Sequence, residues 1–291
     1  MDGSMIAEPR RFSVPISNRF GSGEMSVLEF GPADRPVDLV FLHANGFNAY
    51  TYRSLLTTLG QGLRIWAPDL RGHGHTTLPT VVKGRRNWHD HRDDLIALLD
   101  KVDAPSVMVC GHSIGGTTAL LAAEKLQSRI RQLLLLDPVI WPPLTTAAFG
   151  VPVLSRIPTQ VPIVKSTLRR RDVFEARDQA FASWQGRGAF KGWPDDVLRD
   201  YLTGGLLPAA DGFKLACTPA WEASNYSAQA HNPWRALRRY RGPITILKAQ
   251  AGSLCAVTPR PGVDVRTVKG GGHLFPMTHA NVVIEAVHEL V

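Results

Sequence analysis

One serine in this chain sits in a setting few serines share. Residues 107–124 read VMVCGHSIGGTTALLAAE, an apolar run, a knot of glycines around Ser113, and a second apolar run. Gly111, Ser113 and Gly115 form the pattern G-x-S-x-G. Between a strand and a helix, this pattern has a physical meaning. The backbone crowds so tightly that only small neighbours fit, the hydroxyl is lifted above the sheet edge, and the first N–H groups of the helix face any negative charge beside it. The plainer alternative, a glycine-rich connection with an incidental serine, is disfavoured by that strand-to-helix context.

A hydroxyl is a poor nucleophile at neutral pH, so it needs a base, and the base needs a partner that fixes its tautomer and offsets its cation. The expected chain order is nucleophile, acid, histidine. Of ten histidines, His273 in VKGGGHLFPMTHA fits best, because it follows the last predicted strand, sits behind three glycines and precedes the last predicted helix. His279 and His288 fall in or near that helix and read as solvated. His112, next to Ser113, points away in such a turn and takes a packing role. His89 and His91 in NWHDHRDD are two apart and splay on a helix, unlike an i, i+4 ligand pair. No metal and no cofactor is expected.

The elements that must position these groups are legible as apolar, β-rich runs at 37–43, 63–69, 106–112 and 130–137 with helical patterns between them. Helices are predicted at 49–59, 88–102 and 114–127. That alternation marks an α/β protein with a parallel sheet and crossover helices. Two earlier runs, RFSVPIS and MSVLEF, separated by Gly21 and Gly23, predict an antiparallel hairpin on the sheet edge. After Asp137 the rhythm breaks for about a hundred residues. Prolines cluster from 138 to 162, and 172–185 and 195–203 read as short helices. Strand patterns return at 243–249 and 263–268, and a helix is predicted from Thr278 onward. The expected organisation is a core in two pieces, 1–137 and 241–291, with a helical cap, 138–240, inserted between them.

Composition narrows the class further. The 44% hydrophobic content over 291 residues is enough for a sizeable core. The net charge of +8 is concentrated in LRRRD (168–172) and RALRRYR (235–241). With no nucleic-acid motif beside them, both runs read as solvated helix faces, and no nucleic-acid partner is expected. Three widely spaced cysteines give neither a disulfide framework nor a zinc site. No stretch approaches the length of a membrane span, and the first residues lack a signal-peptide core, which predicts a cytoplasmic protein. The sequence leaves a homodimer open.

The motifs LHANGF, PDLRGHG, GHSIGG and GGGHLFP, in this order and spacing, resemble the α/β-hydrolase superfamily over essentially the whole chain. The resemblance implies an eight-stranded, mostly parallel sheet, a helical lid between the sixth and seventh strands, and a Ser-His-acid triad. It also implies an oxyanion hole at His43-Ala44-Asn45, with one donor the backbone N–H of Ile114 and the other that of Asn45 or Ala44. HANGFNAYTYR is similar to the corresponding turn of haloalkane dehalogenases, where an asparagine side chain reaches into the site. Those enzymes carry an aspartate nucleophile, however, so dehalogenation is disfavoured here. One departure stands out: the loop after the seventh strand, where the family usually keeps its acid, reads KAQAGSLCAV and has no carboxylate. The resemblance implies a replacement: Asp137, at the end of the sixth strand, stands at the alternative acid position used in dehalogenases and some lipases that resemble this fold. The plain alternative is that Asp137 merely terminates its strand. Asp69 is expected to organise its own loop through Arg71. His43, Phe47, Trp141, Trp184 and Trp221 are expected to line a substrate pocket.

These readings predict a serine hydrolase cleaving small to medium carboxylic esters, a small-molecule ester being the only partner required. Lactones, thioesters and carbon–carbon bonds are open to the same machinery, and a weakly catalytic ligand-binding relative is the alternative from another class.

Overall fold

The apolar runs assemble into one eight-stranded sheet in a computed structural model that describes residues 8–151 and 162–291. Strands β1 (Arg10–Asn18), β2 (Gly21–Phe30), β3 (Leu39–Leu42), β4 (Ile65–Pro68), β5 (Val107–His112) and β6 (Ile130–Leu136) come first in the chain. A later segment holds the short strands β7 (Val173–Phe174), β8 (Leu206–Ala209) and β9 (Gly212–Leu215), and β10 (Ile244–Ala249) and β11 (Val263–Val268) complete the large sheet. Its order is β1-β2-β4-β3-β5-β6-β10-β11. The six strands from β4 to β11 run parallel, and β1 and β2 are antiparallel at one edge. The predicted hairpin is therefore present, with its turn at Arg19 and Phe20. Gly21 and Gly23 belong to β2 itself, paired with Asn18 and Ile16.

The central strands read as unbroken apolar runs because both faces are covered. Alternate residues of one strand enter two different core layers. Leu133 and Leu135 pack with α2 (His89–Leu99), α3 (Ile114–Ala123) and α9 (Pro233–Arg239), whereas Leu134 and Leu136 pack with α1 (Arg53–Leu59) and α10 (Ala280–Leu290). The predicted helices are present but shorter at their ends. The run from Ala49 starts as a 3-10 turn, Ala49–Tyr52, capped by Asn48, before α1 begins. Beyond Leu99 and Ala123, N–H groups bond three residues back, Lys101 to Leu98 and Lys125 to Ala122, and each chain tightens out of its helix.

Between β6 and β10 the chain leaves the sheet. It forms α4 (Pro143–Gly150), α5 (Pro162–Leu168), α6 (Arg177–Trp184), α7 (Asp195–Gly205), α8 (Pro219–Ser227) and α9. The prolines that break the strand rhythm start helices: Pro143, Pro219 and Pro233 stand in first turns, where a missing N–H costs nothing. Residues 152–161, part of the predicted proline-rich stretch, lie outside the described residues. The run at 172–185 is not one helix. Its start is β7, which joins β9 and β8 in a small antiparallel sheet. The signal for this sheet was the Asp211-Gly212 step where the turn at 210–211 enters β9, with Gly212 at φ +113°. Pro208 inside the β8 run obscures it.

On α9, Arg235 and Arg239 of the second basic run reach Glu124 at the end of α3, at 3.0 and 3.1 Å. Among the described residues, no helix is long and apolar enough to cross a membrane.

Candidate active site

Parallel strands bring all their C-terminal ends to one edge of the sheet, and the loops after β3, β5, β6, β10 and β11 meet there. Ser113 follows β5 with φ +57° and ψ −117°, a conformation that costs a non-glycine residue about 1–3 kcal/mol. Its neighbours explain the glycines. A Cβ on Gly111 would lie 2.5 Å from the carbonyl carbon of Gly115, and one on Gly115 would lie 2.5 Å from the carbonyl oxygen of Leu42. The Ser113 N–H donates to Leu136 O at 2.9 Å, tying the turn to the adjacent strand.

His273, in the loop after β11, stands between two of the candidate residues. Its Nδ1 is 2.6 Å from Asp137 Oδ2 and its Nε2 is 3.0 Å from Ser113 Oγ. A carboxylate only accepts, so Nδ1 carries the proton and Nε2 presents a lone pair to the serine hydroxyl.

Asp137 is fully buried at the end of β6, with φ +40° and its own N–H bonded to Leu247 O at 2.7 Å. Its carboxylate takes three further bonds from β10 and the loop that follows. Ala249 N and Ser253 Oγ donate to Oδ1 at 3.0 and 2.5 Å, and Leu254 N donates to Oδ2 at 3.1 Å. Burial alone would raise this carboxyl. Its bonds from His273 and Ser253 outweigh burial and hold it below the ordinary carboxylate range. The loop without an acid thus supplies donors to an acid on the neighbouring strand.

His112 does more than pack. Its Nε2–H donates to the carbonyl of His273 at 2.9 Å, and its Nδ1 accepts from Tyr52 Oη–H at 2.7 Å. Tyr52 Oη in turn accepts from Ala44 N–H at 3.2 Å. The directions are fixed at both ends, because a carbonyl only accepts and a backbone N–H only donates. Burial pushes the His112 imidazole down to about 3, which keeps it neutral.

That chain uses the Ala44 N–H, and Gly46 N–H donates to His73 Nε2 at 3.1 Å. Among the described residues, the backbone N–H groups of Asn45 and Ile114 have no such partner. The Asn45 side chain is not free to reach the serine. Its Nδ2 donates to Glu222 O at 3.1 Å, and its Oδ1 accepts from Asn225 Nδ2 at 2.7 Å, both on α8.

Ser113 and His273 open on a cavity of about 730 Å³, also lined by Ala44, Asn45, Ile114, Phe47 and Trp141. Three residues predicted for its wall lie elsewhere. His43 is fully buried beneath the turn, where Nδ1–H donates to Ala44 O at 2.7 Å and Nε2 accepts from Leu70 N at 2.8 Å. Trp184 stacks on Phe190 at 5.4 Å within the insertion. Trp221 turns its Nε1–H to Arg71 O at 2.8 Å. Asp69 organises its loop, though through Ala49 N, His75 N and Arg11, while Arg71 pairs with Asp94.

The cavity wall also contains an Arg170–Glu222 ion pair at 2.6 Å. Neither residue was singled out in the sequence: Arg170 is hidden in a run of arginines, and Glu222 is an isolated carboxylate.

The fold has close structural parallels. A crystal structure of E-2-(acetamidomethylene)succinate hydrolase superposes with a TM-score of 0.75 over 96% of this chain and 98% of that one, at 20% identity. In sequence, the 2-(acetamidomethylene)succinate hydrolase of Mesorhizobium japonicum is 21% identical over 283 residues, 95% of both chains. An esterase of Mycobacterium tuberculosis is 30% identical over 124 residues, 43% of this chain and 40% of that one. The chain spans about two fifths of the length of several curated relatives it matches. A profile described as Alpha/beta hydrolase family matches residues 39–286, nearly everything from β3 to α10, and the chain therefore belongs to that family.

Proposed function

We propose that the chain is a serine hydrolase cleaving carboxylic esters of small to medium acyl groups through an acyl-enzyme. The observation that carries this reading is the unbroken hydrogen-bonded line from Ser113 Oγ through His273 to Asp137, at 3.0 and 2.6 Å, opening on the cavity. Ser113 attacks the ester carbonyl while His273 Nε2 takes its proton. Asp137 holds Nδ1–H and offsets the imidazolium charge. The N–H groups of Asn45 and Ile114 receive the oxyanion, each donor worth about 3 kcal/mol of barrier. Ala44 is the weaker candidate because Tyr52 already occupies its N–H. His273 then protonates the leaving alcohol, and water releases the acyl group by the same route. Within 138–240, the described residues act as a cap, with Trp141, Phe149 and Ile163 lining the cavity that Ser113 faces. The Asp137–His273 contact supports turnover over the weakly catalytic, ligand-binding alternative.

The test joins labelling to turnover. A fluorophosphonate should modify Ser113, located by mass mapping. Ser113→Ala and His273→Ala should each lose orders of magnitude on a panel of esters, lactones and thioesters while remaining folded. Near-normal turnover by Ser113→Ala, with contamination excluded, would overturn the covalent route, and the panel ranks the bond types.

A further inference from the structure

The chemistry above leaves one feature of the cavity unused, the Arg170–Glu222 pair. Arg170 is the middle of three consecutive arginines, the run read from sequence as a solvated face. In the fold its neighbour Arg171 bonds Val173 O and Gln179, and Arg170 lines the same cavity as Ser113. The two partners are unequally accessible, the Arg170 side chain being 38% exposed and that of Glu222 3%. Glu222 is the fixed member. Tyr226 Oη–H donates to its Oε1 at 3.3 Å, and it lies so close over Gly46 that a Cβ there would come within 2.8 Å of Oε1. Arg170 gives Nη1–H to Glu222 Oε2, and among the described residues its Nε and Nη2 have no partner.

An unpaired guanidinium in a wall shared with Phe47, Trp141 and Phe190 would be costly to desolvate, and the buried carboxylate offsets part of that penalty while holding Nη1. A molecule entering the cavity therefore meets a guanidinium with unused donors beside a carboxylate that is almost fully covered. We propose that Arg170, held by Glu222, is a subsite for a carboxylate carried by the substrate, so that the preferred esters are half-esters of dicarboxylic acids or esters of hydroxy acids. Charge-assisted bonds from a planar fork suit a carboxylate better than a neutral carbonyl. This proposal rests on the reading of Ser113 as nucleophile for its turnover arm only.

The test compares kcat/KM, by titration of released acid, for monoethyl esters of C4 to C8 diacids and for O-acetylated hydroxy acids. The controls are neutral ethyl and acetyl esters of equal length. Wild-type enzyme should favour one anionic series at least about 10-fold, the better series telling whether the carboxylate sits on the acyl or the alcohol side. Arg170→Gln should collapse that ratio, and Arg170→Lys should restore part of it. In parallel, calorimetry on the wild-type protein should show a C4–C8 monoacid binding more tightly than the neutral primary amide of equal length, whether or not esters turn over and whether or not the variants fold. Equal rates for both classes, an unchanged ratio in a folded Arg170→Gln, or equal affinity for monoacid and amide would each overturn the subsite. Failure of Ser113 labelling with the carboxylate preference intact would instead strike the hydrolase reading alone.

Discussion

Asp137 accepts from His273 and from three groups of β10 and the loop after it, so its two mutational neighbours should behave differently. Asp137→Asn removes the charge that offsets the imidazolium and presents an amide where Nδ1–H needs an acceptor. Turnover at neutral pH should fall by several orders of magnitude, on the order of 10⁴ in the best-known triad. Ser253→Ala leaves the carboxylate and its contact with His273 in place, removing one bond to a charged group. It should cost about 1.5–3 kcal/mol in a urea denaturation curve, and far less in rate. If Ser253→Ala proved the slower enzyme, or both variants stayed active, Asp137 would be only a strand terminus.

Elements explain which of these contacts could be read in advance. The strand runs, the turn at Ser113 and the loop before His273 were legible because each imposes a local composition: apolar residues covered on both faces, glycines where a Cβ collides, glycines again behind the histidine. Asp137 was legible only through the resemblance, since nothing local separates an acid that serves a histidine from one that ends a strand. Trp184 and Trp221 were misplaced because an aromatic residue in an insertion has no periodic signature of the face it turns to. The grip of α8 on the Asn45 turn was invisible, because it joins residues about 180 positions apart. That grip is testable. Asn225 also accepts from Arg85 and His91, at 2.7 and 3.1 Å. Asn225→Ala leaves His91 Nε2–H unpaired and Arg85 Nη1 with only the longer bond to Ser224 Oγ, at 3.3 Å, a loss of roughly 1–3 kcal/mol for each donor that should lower Tm by roughly 5–10 °C. With the Asn45 turn loosened, fluorophosphonate labelling of Ser113 should slow about 10-fold. A stability loss with unchanged labelling would mean that α8 supports the fold without positioning the turn.

At the scale of the molecule, five histidines, His43, His73, His91, His112 and His231, are pushed down to about 3 by burial. An unfolded chain would protonate each near 6.5, so below that pH the unfolded state binds more protons and stability falls with pH, flattening only near 3. Each histidine loses about 1.4 kcal/mol per pH unit in that window. Asp200, raised by burial to about 6, works in the opposite direction and offsets about one of them. The remainder approaches the whole stability of an ordinary domain within about two units. Thermal melts should be flat above pH 7 and drop steeply below 6, and a flat profile down to pH 4.5 would show that these imidazoles are not held neutral. The segment between β6 and β10 has a separate consequence for protein engineering. It leaves the sheet at Asp137, returns on the strand whose loop donates to Asp137, and on the way clasps Asn45. Chimeras that graft a foreign segment between residues 138 and 240 would therefore inherit a new hold on the Asn45 turn along with new cavity walls, and such exchanges should fail unless position 45 and its α8 partners travel together.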